Sequence, residues 1–217
     1  MEIVTEDLLN SILESLERID YIKTEDIPNI DLYMDQVTTF MDTKMKSTAR
    51  HPEEDKILTK TMINNYAKNN LLPPPVKKKY TKEHMLLLIF IYYFKGILSI
   101  GDISKLLEPL TGRFFYEKEG LGLEDIYNEV FSLERAEIER MKEDVVEKFG
   151  KAEETFLEAP EESREFLQQF AFICMLSFDV YVKKQMIEKM IDNMGKSGTE
   201  GKAAGKKEPK EKNKEKE

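Results

Sequence analysis

From Met85 to Phe94 the chain reads MLLLIFIYYF with no charged or amide side chain, and no other stretch restricts the fold as severely. As a helix, ten residues rise about 15 Å, half of the roughly 30 Å hydrocarbon core of a bilayer, so the run is too short to cross one. Because it is apolar all round, it must be covered all round, which predicts a central buried helix wrapped by other elements. The material for that wrapping is present: 41% of the 217 residues are hydrophobic and 12 are Phe. The N-terminus is acidic and lacks the basic, apolar, small-residue order of a signal peptide, and no apolar run reaches spanning length. The expectation is therefore a cytoplasmic, non-membrane protein. Cys174 is the only cysteine, and its neighbours Ile173 and Met175 predict a buried thiol.

The remaining periodicity is helical. Thr5 followed by Glu6 and Asp7 opens an amphipathic helix over 5–19, with Leu8, Leu9, Ile12, Leu13, Leu16 and Ile19 on one stripe. A second helix is predicted over 31–46, carrying Leu32, Tyr33, Val37, Phe40, Met41 and Met45, followed by a solvent loop over 47–55 that contains Arg50, His51 and Pro52. Leu58–Asn70 reads as a short helix with Thr59 as N-cap, and Leu71-Leu72 followed by three prolines ends it. The apolar run is capped near Thr81, and Ser99-Ile100-Gly101-Asp102 has capping-box spacing for the helix after it. Thr111-Gly112 predicts a break. A single helix over 123–149 and another from Pro160 to Met194 complete the pattern. In the last helix, Phe170–Val182 is apolar nearly all round and calls for cover by the same chain or by a second subunit. Residues 195–217 have no bulky apolar side chain to offset the entropy of ordering and are expected to be disordered.

Charge singles out one segment. The chain carries a net charge of −9, yet residues 56–105 hold nine Lys against only Glu83 and Asp102. Cations confined in this way point to a polyanionic partner, since clustered Lys releases counterions from phosphate backbones. Within the island, Lys60, Thr61, Asn64, Asn65 and Lys68 share the polar face of the 58–70 helix, opposite Met62, Ile63 and Tyr66. Asn can pair bidentately with adenine, and Lys meets guanine or phosphate. Lys77, Lys78 and Lys79, ending at Tyr80, form a small basic projection suited to phosphate.

The order Ile63, Tyr66, Leu71-Leu72-Pro73, basic projection, hydrophobic helix, then Leu98-Ser99-Ile100 leading to Asp102-Ile103 and Leu106-Leu107 resembles the winged helix-turn-helix of MerR-type bacterial regulators over about fifty residues. The longer chain also resembles an uncharacterised bacterial family, a domain of unknown function distantly similar to those regulators. The departures are Asn64 and Asn65 where Arg-Tyr is usual, Asn70 where Gly is usual, and a reduced wing. The resemblance implies an all-α fold divided as follows: an N-terminal amphipathic helix (1–27), a MerR-like helix-turn-helix domain with a small wing (28–110), a C-terminal helical lobe for dimerisation or an effector (111–194) and a charged tail (195–217). It implies a transcriptional regulator that reads double-stranded DNA as a homodimer.

Two rival readings stand beside this one. The first is a non-catalytic helical interaction module that keeps the scaffold without reading DNA, since fold does not dictate function. The second is a sensor that takes a small-molecule effector in the C-terminal lobe, where Asp179 interrupts the apolar run. By default this carboxylate points at solvent or pairs with Lys183. His51 and His84 have no partner at ligand spacing, and His84 is expected at a helix start as a surface or interface residue, so no metal or cofactor is predicted. Gly195-Lys196-Ser197 lacks both the leading glycine and the preceding strand of a phosphate loop. With no catalytic motif in view, an enzyme is not expected.

Overall fold

The computed structural model describes residues 5–17, 21–117 and 119–203. In chain order they form α1 (Thr5–Glu17), β1 (Leu32–Tyr33), α2 (Met34–Met45), α3 (Lys60–Lys68), β2 (Lys79–Tyr80), α4 (Lys82–Phe94), α5 (Ile100–Phe114), α6 (Leu123–Ser132), α7 (Glu134–Glu153) and α8 (Glu161–Ala203). The class is all-α, with β1 and β2 paired antiparallel in the register Leu32 to Tyr80 and Tyr33 to Lys79.

Two apolar cores organise these elements. The first surrounds α4, in which every side chain from His84 to Ile91 is buried, as the unbroken apolar run requires. It is covered by Val37, Met41 and Met45 of α2, Ile63 and Tyr66 of α3, Ile103 and Leu107 of α5, and Leu123, Tyr127 and Phe131 of α6. The core thus continues past residue 110, where the expected domain boundary fell, and takes in α6. Its edge is aromatic: Phe90, Tyr127 and Phe131 have ring centroids 4.4–5.5 Å apart, and Tyr21 stacks on Phe131. Beneath them the Tyr127 hydroxyl donates to the Ile22 carbonyl at 2.6 Å. The second core is smaller, with Val145, Phe149, Ala152 and Phe172 packed against Leu9, Ile12, Leu13 and Leu16 of α1.

Local signals set the helix starts. Thr59 Oγ1 accepts from the Met62 amide at 3.2 Å, and Ser99 Oγ accepts from the Asp102 amide at 3.1 Å, so both expected caps form. Tertiary packing sets several of the other boundaries. The expected break at Thr111-Gly112 is absent: α5 continues to Phe114, with Thr111 Oγ1 donating back to the carbonyls of Leu107 and Glu108. The expected single helix over 123–149 is divided at Leu133, and Gly150 lies inside α7. Division lets Phe131 enter the first core while Val145 and Phe149 enter the second. α8 continues to Ala203, beyond the expected end at Met194 and into the tail expected to be disordered, while 204–217 lie outside the described residues.

α8 touches both cores, through Phe172 in the second and Ile191 in the first. Much of its apolar surface is nevertheless uncovered, and Cys174 is exposed, contrary to the buried thiol expected from its neighbours. Asp179 pairs with Lys148 of α7 at 2.5 Å, and Lys148 also pairs with Asp144. A partner from α7 thus stands where solvent or Lys183 was expected, and this contact holds the Asp179 carboxyl below its usual range. By length and composition, Glu161–Met194 is long and apolar enough to cross a membrane, which the run-by-run sequence reading did not register.

His84 is buried, not at the surface as expected. It occupies the third position of α4 and completes a capping box: the Thr81 amide donates to His84 Nδ1 at 3.0 Å, and Nε2 lies 3.2 Å from the Pro73 carbonyl, to which it donates. The ring is therefore neutral with its proton on Nε2. Burial is the main cause holding its pKa below the ordinary 6.5, against weaker opposing effects from the Pro73 carbonyl and Glu83. A folded-state value below the unfolded one means that the unfolded chain takes up the proton first, so His84 lowers stability as pH falls through and below about 6.5. Melts between pH 7.5 and 5 are expected to show this loss, and His84→Gln, which keeps an acceptor at the capping position, should flatten it. An unchanged pH slope in the variant would remove His84 as its source.

Candidate nucleic-acid interface

The polar side chains predicted for the basic face emerge from α3 as the helical period dictates. Lys60, Thr61, Asn64, Asn65 and Lys68 are all exposed and, at 100° per residue, span an arc of about 140°. Ile63 and Tyr66 on the opposite side anchor the helix in the first core. Its C-terminus is closed by Asn70 in the left-handed region (φ 58°), where the amides of Leu71 and Leu72 donate to the Tyr66 carbonyl at 2.9 and 3.3 Å. Asn tolerates this conformation better than most residues, which is how the chain manages without the usual Gly.

The basic projection is a tight hairpin. Val76 bridges to Lys79, whose amide donates to the Val76 carbonyl at 3.0 Å, while Lys77 (φ 52°) and Lys78 (φ 66°) both adopt left-handed backbone. Two consecutive left-handed residues make a type I′ turn, which ordinarily takes Asn-Gly. Lys at both positions gives the tip two exposed ammonium groups in place of the residues that suit the turn. Lys77→Asn combined with Lys78→Gly is therefore expected to raise unfolding stability by about 1–2 kcal/mol, the usual cost of left-handed backbone in an L-residue. Urea denaturation measures it, and a loss of stability would refute the strain argument.

What joins α3 to the hairpin is the junction of β1 and α2. Lys60 forms an ion pair with Asp35, and Lys79 Nζ lies 5.4 Å from the ring centroid of Tyr33, within cation–π range. The Tyr33 amide in turn donates to Gln36 Oε1 at 2.9 Å, and the Tyr33 ring is itself 53% exposed. The lysines at the start of α3 and at the base of the hairpin are thus held by residues two apart in sequence. Asp35 and Gln36 were missed by the sequence reading, and Tyr33, expected on the apolar stripe of the second helix, lies exposed at the end of β1, because only tertiary pairing of β1 with β2 brings these residues here.

The structure also divides the nine lysines of the island. Lys82 is committed to Glu124 at 2.7 Å, and Lys105 pairs with Asp102 and Asp192. Lys95 donates to the Ile57 carbonyl at 2.8 Å and lies over the Tyr92 ring, with burial the main cause lowering its pKa. Lys56, Lys68, Lys77 and Lys78 remain exposed, joined by the paired Lys60 and the half-buried Lys79. Arg50 and His51 also lie on the surface, in a loop where the His51 amide donates to Asp55. Acidic groups adjoin the hairpin as well: a cleft of about 310 Å³ beside it is lined by Asp31, Glu83, Glu117 and Lys82. Among the described residues, no group of three or more His, Cys, Asp or Glu side chains is arranged to hold a metal ion.

The family model described as "Domain of unknown function (DUF1836)" matches residues 22–131. These limits take in every buried residue of the first core except Ile191 of α8, and Tyr127 joins their two ends. No curated protein and no solved structure matches the chain.

Proposed function

The chain belongs to the DUF1836 family, a domain of unknown function, and from that footing we propose that residues 22–131 bind duplex DNA and that the protein is a cytoplasmic, non-catalytic transcriptional regulator. In this reading α3 enters the major groove. Asn64 and Asn65 meet base edges, Lys60, Thr61 and Lys68 flank them, and Lys77, Lys78 and Lys79 hold the phosphate backbone. The observation that carries the reading is the common anchoring of α3 and the hairpin on the junction of β1 and α2, through Lys60 with Asp35 and Lys79 with Tyr33. The order of strand, helix, helix, hairpin and buried helix supports a MerR-like winged arrangement within it. Titration of the purified protein against genomic fragments, its own upstream region among them, tests the reading at two salt concentrations. A response that is flat across all fragments at both would sink it and favour a protein-interaction module.

A specific observation favours a second reading of the other lobe. A cavity of about 240 Å³ between α1, α7 and α8 is lined by Leu8, Ile12, Phe149, Phe172, Ile173 and Leu176, with Gln168 and Gln169 among its few polar groups. Its chemistry suits a small apolar effector, which would appear as ligand-dependent thermal stabilisation in the absence of DNA.

A further inference from the structure

The basic hairpin has little to hold it in place by itself. Its turn puts Lys77 and Lys78 in left-handed backbone, and its pairing with β1 is two residues long. A ribbon of that size is marginal in water. One ring closes its base. His84 Nε2 donates to the Pro73 carbonyl at the entry to the segment, and Nδ1 accepts from the Thr81 amide at its exit. The imidazole stands perpendicular to the rings of Tyr80 and Phe115, with centroids 5.4 and 4.9 Å away, and the residue is 2% exposed.

We propose that His84 is a proton-sensitive clasp on the hairpin: neutral, it holds Lys77, Lys78 and Lys79 in position, and protonation releases them. The clasp needs opposite roles from the two nitrogens, a donor toward Pro73 and an acceptor toward Thr81. Protonation leaves the Nε2 side as it was and places a second N–H on Nδ1, facing the N–H of Thr81. Two donors then meet, and the amide loses its partner. Nδ1 can turn to the Thr81 hydroxyl, 3.0 Å away and itself donating to Glu83, but it then abandons the amide that ends the hairpin.

The titratable groups around the ring are Asp31 ahead of β1, Tyr80 of β2, Lys82 and Glu83 of α4, and Glu117 beyond α5. Burial opposes protonation of the ring more than Glu83 and Asp31 favour it, so His84 titrates below the ordinary 6.5. Lys82 is paired with Glu124, Glu117 accepts from the amides of Glu119 and Gly120, and burial keeps the Tyr80 hydroxyl un-ionised. The consequence for DNA rests on the reading of the hairpin as a phosphate contact. Acidification ordinarily tightens a protein's grip on a polyanion by adding positive charge, here at the exposed His51 among other places. Release of the hairpin acts in the opposite direction.

Nuclear magnetic resonance of the full chain between pH 7.5 and 5 tests the clasp without DNA. At pH 7.5 the ring should show Nε2 protonated and Nδ1 bare. As it titrates, exchange protection at the Lys79 and Thr81 amides, corrected for the intrinsic effect of pH, should fall about 10-fold, as expected for one lost buried hydrogen bond. Ile63 in α3 and Ile103 in α5 should stay protected. His84→Gln, with an uncharged acceptor at the same position, should keep its protection throughout. His84→Phe, which retains a ring between Tyr80 and Phe115 but makes neither bond, should lack it already at pH 7.5. The DNA affinity of the wild type, relative to His84→Gln, should fall by the same factor. A proton on Nδ1 at pH 7.5, a titrating ring with unchanged protection at Lys79 and Thr81, loss at Ile63 with the same midpoint, or wild type and His84→Gln binding DNA in parallel across the range would each overturn the proposal. A chain that binds no duplex at any pH removes the DNA reading alone, and the exchange measurements then decide the clasp.

Discussion

Lys77→Glu, Lys78→Glu and Lys79→Glu together are expected to weaken duplex binding by about 1,000-fold near physiological salt, because three phosphate-facing cations become three anions. The same change should reduce the slope of log affinity against log salt by about 3, one for each phosphate that no longer meets a cation. Lys105→Gln is the control. Its ammonium is committed to Asp102 and Asp192, so its removal should shift affinity by no more than about two-fold. If the triple variant kept its affinity, or if Lys105→Gln matched its loss, the hairpin would not be what holds the phosphates. The turn variant, Lys77→Asn with Lys78→Gly, separates backbone from charge: it should make the domain more stable and its DNA affinity lower.

The other large effect belongs to α4. Leu88→Ala is expected to cost about 2–5 kcal/mol, because the side chain is fully enclosed and the surrounding helices cannot close over the space it leaves. Ala is at least as good a helix former as Leu, so the loss would measure packing and not helix propensity. Against a typical total of about 5–15 kcal/mol, it leaves the first core marginal. Ile97→Ala, at a side chain 40% exposed, should cost less than half as much. Urea denaturation of the two variants decides the matter, and equal losses would contradict the placing of α4 at the centre.

What the sequence disclosed and what it hid divide along the range of the interactions. Thr59 and Ser99 act on amides three residues away, so the starts of α3 and α5 could be read directly. The run from Met85 to Phe94 dictated its own burial, and the arc from Lys60 to Lys68 followed from helical period. The junction at Leu133 was hidden because a single apolar stripe over 123–149 serves two different cores. Lys82, Lys95 and Lys105 read as cations available to a partner, whereas in the fold Glu124, the Ile57 carbonyl and Asp192 hold them. Apolar neighbours also misled at Cys174: they are themselves exposed on α8, and hydrophobicity predicts a need for cover without supplying it. The burial and capping role of His84 escaped notice because its ring acts as an acceptor where a capping box usually has Glu or Gln.

The bond from Tyr127 to the Ile22 carbonyl brings the two ends of the 22–131 stretch together, and only Ile191 of α8 returns to its buried core from outside. Such a unit can be grafted into a surface loop of a host protein, or have its two ends ligated and be reopened at another loop, without stretching the backbone. Evolution could exchange what is attached on either side of it while leaving the α3 face as it stands.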